Sequence, residues 1–413
     1  MFTSFSTALS ALGAHATAVD VVGNNLANLN TPGFKASSVS FYDLVTQSLG
    51  AGLGETQVGF GVGRPLTLRS FTQGAIQASS GTLDSAVQGD GFLVLKGQQN
   101  QVVYSRGGSL VVDKAGTLLT GKGYRVQGWT EVGGKVDTNS PVGDIVIPVG
   151  SIKAPQATTA FQFDLNLNAA ATAGPPADRF KTSIETFDSL GSSHIVTVAF
   201  TKSATANAWD YSITIPDGDV TAPIAPLTGT MQFNSNGQLT TPDVNTPVNF
   251  AIAGLKNGAT DINLRWDIYN GQTPRVTQYS QPSAISANSQ DGQPSAQLVR
   301  VAIGEGGKVL AQYSNGVQSV VGQLAMASIR NPESLVAVGD SAFQLSERSA
   351  LPAIGTSGTG GRGQILGGAI EASNVDIAKE FTNLIILQRG YQANTRVITT
   401  VDEISQETIN LKR

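Results

Sequence analysis

The 413-residue chain contains no cysteine and two histidines, His15 and His194. Without cysteine there is no disulfide, no thiolate metal site and no cysteine nucleophile. A metal site or catalytic relay built on paired histidines would need both of them, and they lie in segments of different character. We therefore predict no catalytic residue, no cofactor and no metal site.

Charge is also scarce: Asp, Glu, Lys and Arg make up 14% of the chain, against a typical ~25%. The net charge is -4, whereas nucleic-acid binders usually carry a basic field, so no nucleic acid is expected as a partner. No uninterrupted run of 18 apolar residues occurs, so no membrane insertion is expected. The first basic residue is Lys35, and without a basic n-region a Sec-type signal peptide is not expected.

Glycine, by contrast, is abundant, with 47 residues. In the long middle of the chain, Phe161, Phe163, Leu165 and Leu167 alternate with polar residues, which is the period-2 pattern of a strand. Turn dipeptides such as Asn236-Gly237 punctuate this region. The pattern predicts a mainly β protein with two antiparallel β-barrel or sandwich domains. The glycine-rich residues 35–72 favour irregular structure, either a hairpin or an unstructured strap.

The N-terminal end has the period of a long amphipathic helix. Apolar residues recur at spacings of 3 and 4, and Thr31-Pro32-Gly33 ends the helix after about 28 residues. From Met1 to Phe34 the only charged residue is Asp20, so this helix is expected to pack against other helices rather than face water. The stripe consists of Phe5, Leu9, Leu12, Ala16, Val19, Val22, Leu26 and Leu29.

The C-terminal end shows the same period. Ser373 and Asp376 form a capping box that predicts a helix from near Asn374 to the C-terminus. The stripe that recurs at spacings of 3 and 4 includes Ile377, Phe381, Leu384, Gln388, Tyr391 and Ile398. We predict that the two terminal helices pair as a coiled coil, and that each buries its remaining apolar face only against other copies.

Asparagines cluster near the end of the first helix, at Asn24, Asn25, Asn28 and Asn30. Capping explains Asn30, because asparagine tolerates left-handed geometry. The other three are poor helix formers inside a helix. We therefore expect them to form hydrogen bonds across an interface between helices.

These terminal segments resemble those of a known family. The segment NNLANLNTPGFK at 24–35 is similar to the N-terminal motif of bacterial flagellar rod and hook proteins. The segment from Glu371 through QRGYQAN at 388–394 is similar to their C-terminal motif, although position 390 is glycine where the family usually has asparagine. Gln88–Phe92 and Tyr104–Arg106 resemble their first β domain.

The resemblance implies a function. About 130 additional residues of β sequence resemble the hook branch, whose subunits assemble into a curved, flexible helical tube that transmits torque from rod to filament. Implied partners are copies of the chain itself, a rod protein at the proximal end, a hook–filament junction protein at the distal end, and during assembly the hook cap and the type III export apparatus. The implied location is extracellular, in the hook and basal body, after export without a cleaved signal peptide.

The implied division of the chain has four parts. They are a terminal-helix domain (1–34 and 369–413), a connecting segment (35–72), an inner β domain (73–148 and 280–368) and an outer β domain inserted into it (149–279). The expected assembly interface comprises Leu9, Leu12, Val19, Val22, Asn24, Asn25, Leu26, Asn28, Phe34, Ile377, Phe381, Leu384, Gln388, Tyr391 and Ile398.

Two alternatives stay open at this point. A distal rod subunit of the flagellar basal body would have the same ends, but its middle would be shorter. An extracellular β-rich enzyme acting on polysaccharide would need two carboxylates across a cleft, and the sequence identifies no such pair. His194 near Ser192 and Ser193 is interpreted as an ordinary satisfied or exposed histidine.

Overall fold

The structure, a computed structural model, describes residues 2–44, 46–49, 56–174 and 177–410. The chain folds as two compact units. The terminal unit comprises residues 1–149, 300–312 and 318–413, and the inserted unit comprises 150–299 and 313–317. The finer division into four parts stays a prediction.

Two long helices come from the two ends of the chain. They are α1 (Phe2–Ala27) and α2 (Ile377–Asn410), and they pack along each other as the sequence predicts. After α1 the chain turns at Gly33, which has a φ of +70° and donates its N–H to the Glu371 carbonyl over 2.8 Å. A Cβ at this position would lie 2.6 Å from the Gly107 nitrogen, so the turn needs glycine.

The predicted start of α2 is wrong by about one turn. The helix begins at Ile377, and Asp376 rather than Ser373 caps it. The Asp376 carboxylate accepts hydrogen bonds from the N–H groups of Ala378 (2.9 Å) and Lys379 (3.1 Å). Asn374 lies outside the helix because its side chain binds other segments, as described below.

The strands that precede residue 150 all belong to the terminal unit. They are β1 (Ser37–Ser40), β2 (Thr46–Leu49), β3 (Thr56–Gly59), β4 (Leu66–Arg69), β5 (Ile76–Ala78), β6 (Ser85–Gln88), β7 (Phe92–Lys96), β8 (Val102–Ser105), β9 (Leu110–Val112), β10 (Leu118–Thr120), β11 (Arg125–Thr130) and β12 (Gly143–Asp144).

The strands of the middle region follow. They are β13 (Ile152–Lys153), β14 (Ala160–Asn168), β15 (Arg179–Phe187), β16 (Ser193–Lys202), β17 (Ala208–Thr214), β18 (Leu227–Phe233), β19 (Leu239–Thr241), β20 (Val248–Ile252), β21 (Ile262–Trp266), β22 (Tyr269–Asn270), β23 (Thr273–Pro274), β24 (Val276–Tyr279), β25 (Ala284–Gln290) and β26 (Ala296–Ile303).

The last strands return the chain to the terminal unit. They are β27 (Lys308–Tyr313), β28 (Gln318–Leu324), β29 (Met326–Ser328), β30 (Val336–Gly339), β31 (Ala342–Gln344), β32 (Ala353–Gly355), β33 (Gln364–Gly367) and β34 (Ala369–Glu371). Short 3-10 turns lie at Glu305–Gly307 and Pro332–Ser334.

Strands from before and after the insertion pair with each other in the terminal unit. Its main sheet runs in the order β27-β28-β11-β7-β8-β31-β30, and further ladders join β33 to β6 and β34 to β5. Phe71, Phe92 and Phe343 meet edge to face at 5.1–6.1 Å in one core cluster of this unit. Because α2 follows β34 directly, these ladders fix where the C-terminal helix begins.

The inserted unit is built from two five-stranded sheets with one shared core. One sheet has the order β15-β16-β17-β18-β19, and the other has the order β20-β21-β14-β24 with β25 also paired to β14. The alternation predicted for β14 is confirmed, since Phe161, Phe163, Leu165 and Leu167 are all buried. Trp266 packs among aromatic rings from both sheets.

Two pairings differ from the sequence prediction of antiparallel sheets. β14 runs parallel to β21 and to β24, and antiparallel to β25. The chain leaves β14 to build the other sheet and returns by long crossovers, which is the connection that parallel neighbours require.

The connecting segment forms hairpin-like ladders. β1 pairs antiparallel with β4, and β2 pairs antiparallel with β3. This favours the hairpin over the unstructured strap. Gly50, Gly52 and Gly54, which suggested irregular structure, lie outside the described residues.

The aromatic core makes Trp266 a strong determinant of the inserted unit's stability. We expect Trp266→Ala to lower the free energy of unfolding by about 3–5 kcal/mol, because it removes a fully buried indole and leaves a cavity. Denaturant unfolding followed by circular dichroism would measure this. The control is Ile195→Ala, at a side chain exposed on β16, which should change it by less than about 0.5 kcal/mol; equal effects would contradict the assignment.

Candidate assembly interface

The buried face of α1 consists of small residues. Ala8, Ala14 and Ala18 are each 2% exposed, and Ala11 belongs to the same face. Small side chains at spacings of 3 and 4 allow a second helix to approach closely. The buried face of α1 therefore consists mainly of alanines that the predicted stripe did not include, although Val22 belongs to both.

His15 and Gly390 fit together where the helices meet. A Cβ at position 390 would lie 2.6 Å from His15 Cε1, so a larger residue would displace the imidazole. The His15 ring also lies 5.5 Å from the ring of Phe41. The glycine that departs from the usual family pattern thus makes room for a histidine of the partner helix.

Many large apolar side chains of the helices stay exposed. On α1, Leu9 is 55% exposed; on α2, Phe381 is 52% and Ile386 is 62% exposed. Such exposure along a helix of about 50 Å is typical of a surface that binds another protein. Further exposed members are Phe5, Ile377, Ile385, Tyr391, Val397, Ile404 and Ile409. We call this set the apolar helix surface.

The predicted interface residues divide into three groups by exposure. Exposed residues are Leu9, Asn24, Ile377, Phe381, Gln388 and Tyr391. Partly buried residues are Leu12, Val19, Leu26, Asn28, Phe34, Leu384 and Ile398. Two are buried within the chain: Val22, and Asn25 at 0% exposed. Both lie inside the subunit, and the set of residues in contact between copies stays a prediction.

Two asparagines fasten the base of the hairpin. Asn25 donates to the Ser37 carbonyl over 2.7 Å and accepts from the Ser37 N–H over 2.9 Å. Asn374 accepts from the Ala36 N–H over 2.7 Å and donates to the Ser70 carbonyl over 3.0 Å. The role of Asn374 is not visible in the sequence, because the residue lies within a capping-box pattern that predicts a helix start.

The other helix-end asparagines bond locally. The Asn28 amide donates to the Asn24 carbonyl oxygen over 3.0 Å and lies 3.2 Å from the Asn24 side-chain oxygen. These bonds lie within one helix end rather than between helices. Asn25 is thus the asparagine of this group that bonds to another segment, the hairpin.

A buried ion pair ties three distant segments together. Lys35 Nζ lies 2.6 Å from Glu371 Oε1, and each side chain is fully buried. Lys35 also donates to the Thr72 carbonyl over 2.8 Å, and the Gly74 N–H donates to Glu371 over 2.9 Å. The Arg106 guanidinium lies 3.5 Å from the same carboxylate oxygen. Burial lowers the pKa of Lys35, and the Glu371 carboxylate opposes that shift.

Residues Ser4–Ala27 are long and apolar enough in composition to cross a membrane. The segment contains no unbroken apolar run because serine, threonine and histidine interrupt it. Length and composition do not separate a membrane span from a helix that packs on protein. The absence of membrane insertion therefore stays a prediction.

Among the described residues, no group of three or more His, Cys, Asp or Glu side chains is placed to hold a metal ion. The apolar helix surface instead presents large apolar side chains to solvent, as is typical of a surface that binds protein. The geometry of this region is that of an interaction surface.

Family models cover both ends and the middle of the chain. Residues 5–35 match "Flagella basal body rod protein" and residues 366–411 match "Flagellar basal body rod FlgEFG protein C-terminal". Residues 86–166 match "Flagellar hook protein FlgE/F/G D1 domain", and 166–293 match "Flagellar basal body protein FlaE D2 domain". These matches define the class, an axial structural protein of the bacterial flagellum.

Full-length relatives identify the family. The flagellar hook protein FlgE of Borreliella burgdorferi is 31% identical, with 100% of both chains covered. That of Salmonella typhimurium is 33% identical, covering 99% of this chain and 100% of the relative. The chain belongs to the flagellar hook protein family and is a hook subunit; neither the rod nor the enzyme alternative is favoured.

A solved structure shares the fold. The crystal structure of Helicobacter pylori flagellar hook protein FlgE2 matches 70% of this chain and 99% of that one, with a TM-score of 0.53 and 14% identity. This likeness extends to the mainly β architecture and carries no residue-level comparison.

We expect Lys35→Met to destabilise the terminal unit by about 3–5 kcal/mol, because it leaves the Glu371 carboxylate buried without its nearest cation. Chemical denaturation would measure the loss. The matched variant Lys35→Met with Glu371→Met removes both charges of the pair and should recover part of the loss, because Arg106 then lacks the carboxylate that lies 3.5 Å from its guanidinium. A double variant as unstable as the single one would show that the charge pairing is not the cause.

Proposed function

We propose that this subunit assembles with copies of itself into a curved, flexible helical tube that transmits torque from the rod to the filament. The observation that carries the proposal is the apolar helix surface, which stays exposed although the two helices are already paired. Burying one such Leu or Phe contributes roughly 1.5–3 kcal/mol. A few per contact, repeated along a polymer, would hold neighbouring subunits together.

The shape of the polymer follows from the type of contact. The exposed apolar residues lie on α1 and α2 of one chain, and the two helices present different sets of side chains. They therefore suit contacts in which one surface of a copy binds a different surface of the next copy. Contacts of this head-to-tail type that do not close into a ring produce an open helical tube. The inserted unit buries a hydrophobic core of its own. This supports a second role for that unit, in which it makes adjustable contacts with neighbouring subunits.

The proposed role is structural rather than enzymatic. Its location would be outside the cell, in the hook, after export through the flagellar type III apparatus without a cleaved signal peptide. The proposed partners are a rod protein at the proximal end, a hook–filament junction protein at the distal end, and the hook cap during assembly. Membership of the hook family and the low content of charge support this proposal.

Electron microscopy of concentrated protein would test the form of the polymer. We expect tubes of uniform diameter that are curved, because a torque-transmitting joint must bend. Straight, stiff tubes would favour a rod-like role. Particles that stay monomeric at every concentration, with intact helices, would contradict self-assembly.

A single substitution would test the apolar helix surface. Phe381→Asp should leave the fold intact, because Phe381 is largely exposed in the subunit, but it should abolish polymerisation by placing a charge in the contact. Sedimentation and microscopy would follow assembly, and circular dichroism would check folding. The control is Phe381→Leu, which keeps an apolar side chain and should still assemble; normal tubes from Phe381→Asp would remove this residue from the interface.

A further inference from the structure

His194 lies between two carboxylates at one end of the inserted unit. Its Nε2 is 3.0 Å from Asp188 Oδ2, and its Nδ1 is 3.1 Å from Asp219 Oδ2. The histidine is 5% exposed and Asp188 is fully buried. Both nitrogens of one buried ring therefore have an acidic partner.

Both carboxylate oxygens of Asp188 are occupied as hydrogen-bond acceptors. Its Oδ1 accepts from the N–H groups of Leu190 (2.8 Å) and Ser192 (2.9 Å), while Oδ2 accepts from the amide of Asn257 as well as facing His194. Burial raises the pKa of Asp188, but the hydrogen bonds from His194, Asn257 and the backbone outweigh it and hold the pKa below its ordinary value. Asp188 is thus an ionised acceptor.

Hydrogen-bond accounting then fixes the state of the ring. A carboxylate only accepts, so Nε2 must donate to Asp188 and Nδ1 must donate to Asp219. A neutral imidazole has one N–H, whereas the imidazolium has two. The geometry is satisfied in full only by a positively charged His194.

The position of this group in the unit gives it a role. It lies by the turn between β15 and β16, and that turn packs where the chain enters and leaves the inserted unit. The Phe187 N–H donates to Thr158 Oγ1 over 2.8 Å. A Cβ on Gly191 would lie 2.9 Å from Pro155 Cβ and 3.0 Å from the Ser295 nitrogen.

Other charged groups in the surrounding elements are Glu185 on β15, Asp217 beside Asp219, and Lys256 and Asp261 in the loop that carries Asn257. The Lys256 N–H donates to the Asp219 carbonyl over 3.0 Å, and its Nζ lies 3.3 Å from the Asp217 carbonyl. These contacts bring the Asp219 loop and the Asn257 loop together beside the histidine. Among the described residues, none of these groups brings a positive charge to either ring nitrogen of His194; the partners there are Asp188 and Asp219.

We propose that His194 is a proton-dependent brace. In its charged form it holds together the loops that carry Asp188, Asp219 and Asn257, and with them the packing of the Asp188–Ser192 turn on the segments at Pro155 and Ser295. Loss of one proton leaves a nitrogen lone pair facing a carboxylate, which replaces a charge-assisted hydrogen bond by repulsion. The turn at Asp188–Ser192 then loosens from the segments at Pro155 and Ser295. The unit is therefore braced while both ring nitrogens of His194 carry hydrogen, and it loosens when one of them loses its proton.

Nuclear magnetic resonance of the full chain would test the proton count directly, because the chain has two histidines and His15→Gln leaves the signal of His194 alone. At pH 6 we expect both ring nitrogens of His194 to carry hydrogen. Amide exchange at Leu190 and Ser192, corrected for intrinsic rates, should lose protection by about tenfold or more between pH 6 and pH 9, because a hydrogen bond between charged groups is lost.

Two variants separate the brace from ordinary packing. His194→Gln cannot take up a proton, so its exchange protection should be the same at pH 6 and pH 9. Asp219→Asn removes the more exposed carboxylate and should reduce the pH effect while leaving the unit folded. A ring nitrogen without hydrogen at pH 6, or wild-type protection that does not change with pH, would overturn the proposal.

Discussion

The buried pair of Lys35 and Glu371 is the constraint on which the arrangement of the chain's ends depends. Removing both charges from water is costly, and the short contact together with the backbone hydrogen bonds from Gly74 and to Thr72 offsets that cost. Lys35 follows the turn after α1, and Glu371 precedes α2. The pair therefore fixes the end of α1 and the start of α2 relative to the same β structure.

With the end of α1 and the start of α2 held in this way, the two helices pack along each other. The buried face of α1 carries small side chains, and Gly390 of α2 makes room for His15. Alanines are buried on α1, whereas several of the larger leucine, isoleucine and phenylalanine side chains of the two helices stay exposed. The subunit therefore keeps its most apolar helix residues for contacts beyond itself. The inserted unit shows the opposite arrangement, because Trp266 and its aromatic neighbours complete a core within one body.

The sequence was most informative where a pattern is local. The alternation along β14 and the 3–4 periodicity of both helices predicted the element types, and the terminal motifs predicted the family. Periodicity did not predict which side of α1 turns inward, because alanine and leucine both count as apolar and close approach favours the smaller residue. The Lys35–Glu371 pair joins residues 336 positions apart, and the parallel neighbours of β14 depend on crossovers, so neither is visible in a local window.

The fit between His15 and Gly390 has a mechanical consequence for the helix pair. Shifting α1 along α2 by one turn, about 5.4 Å, would bring the imidazole over a residue that has a side chain, such as Leu387 or Asn394. The contact between Gly390 and the His15 ring therefore opposes sliding of α1 along α2. A force applied along the helix axes would then act on α1 and α2 together, as on one rigid body.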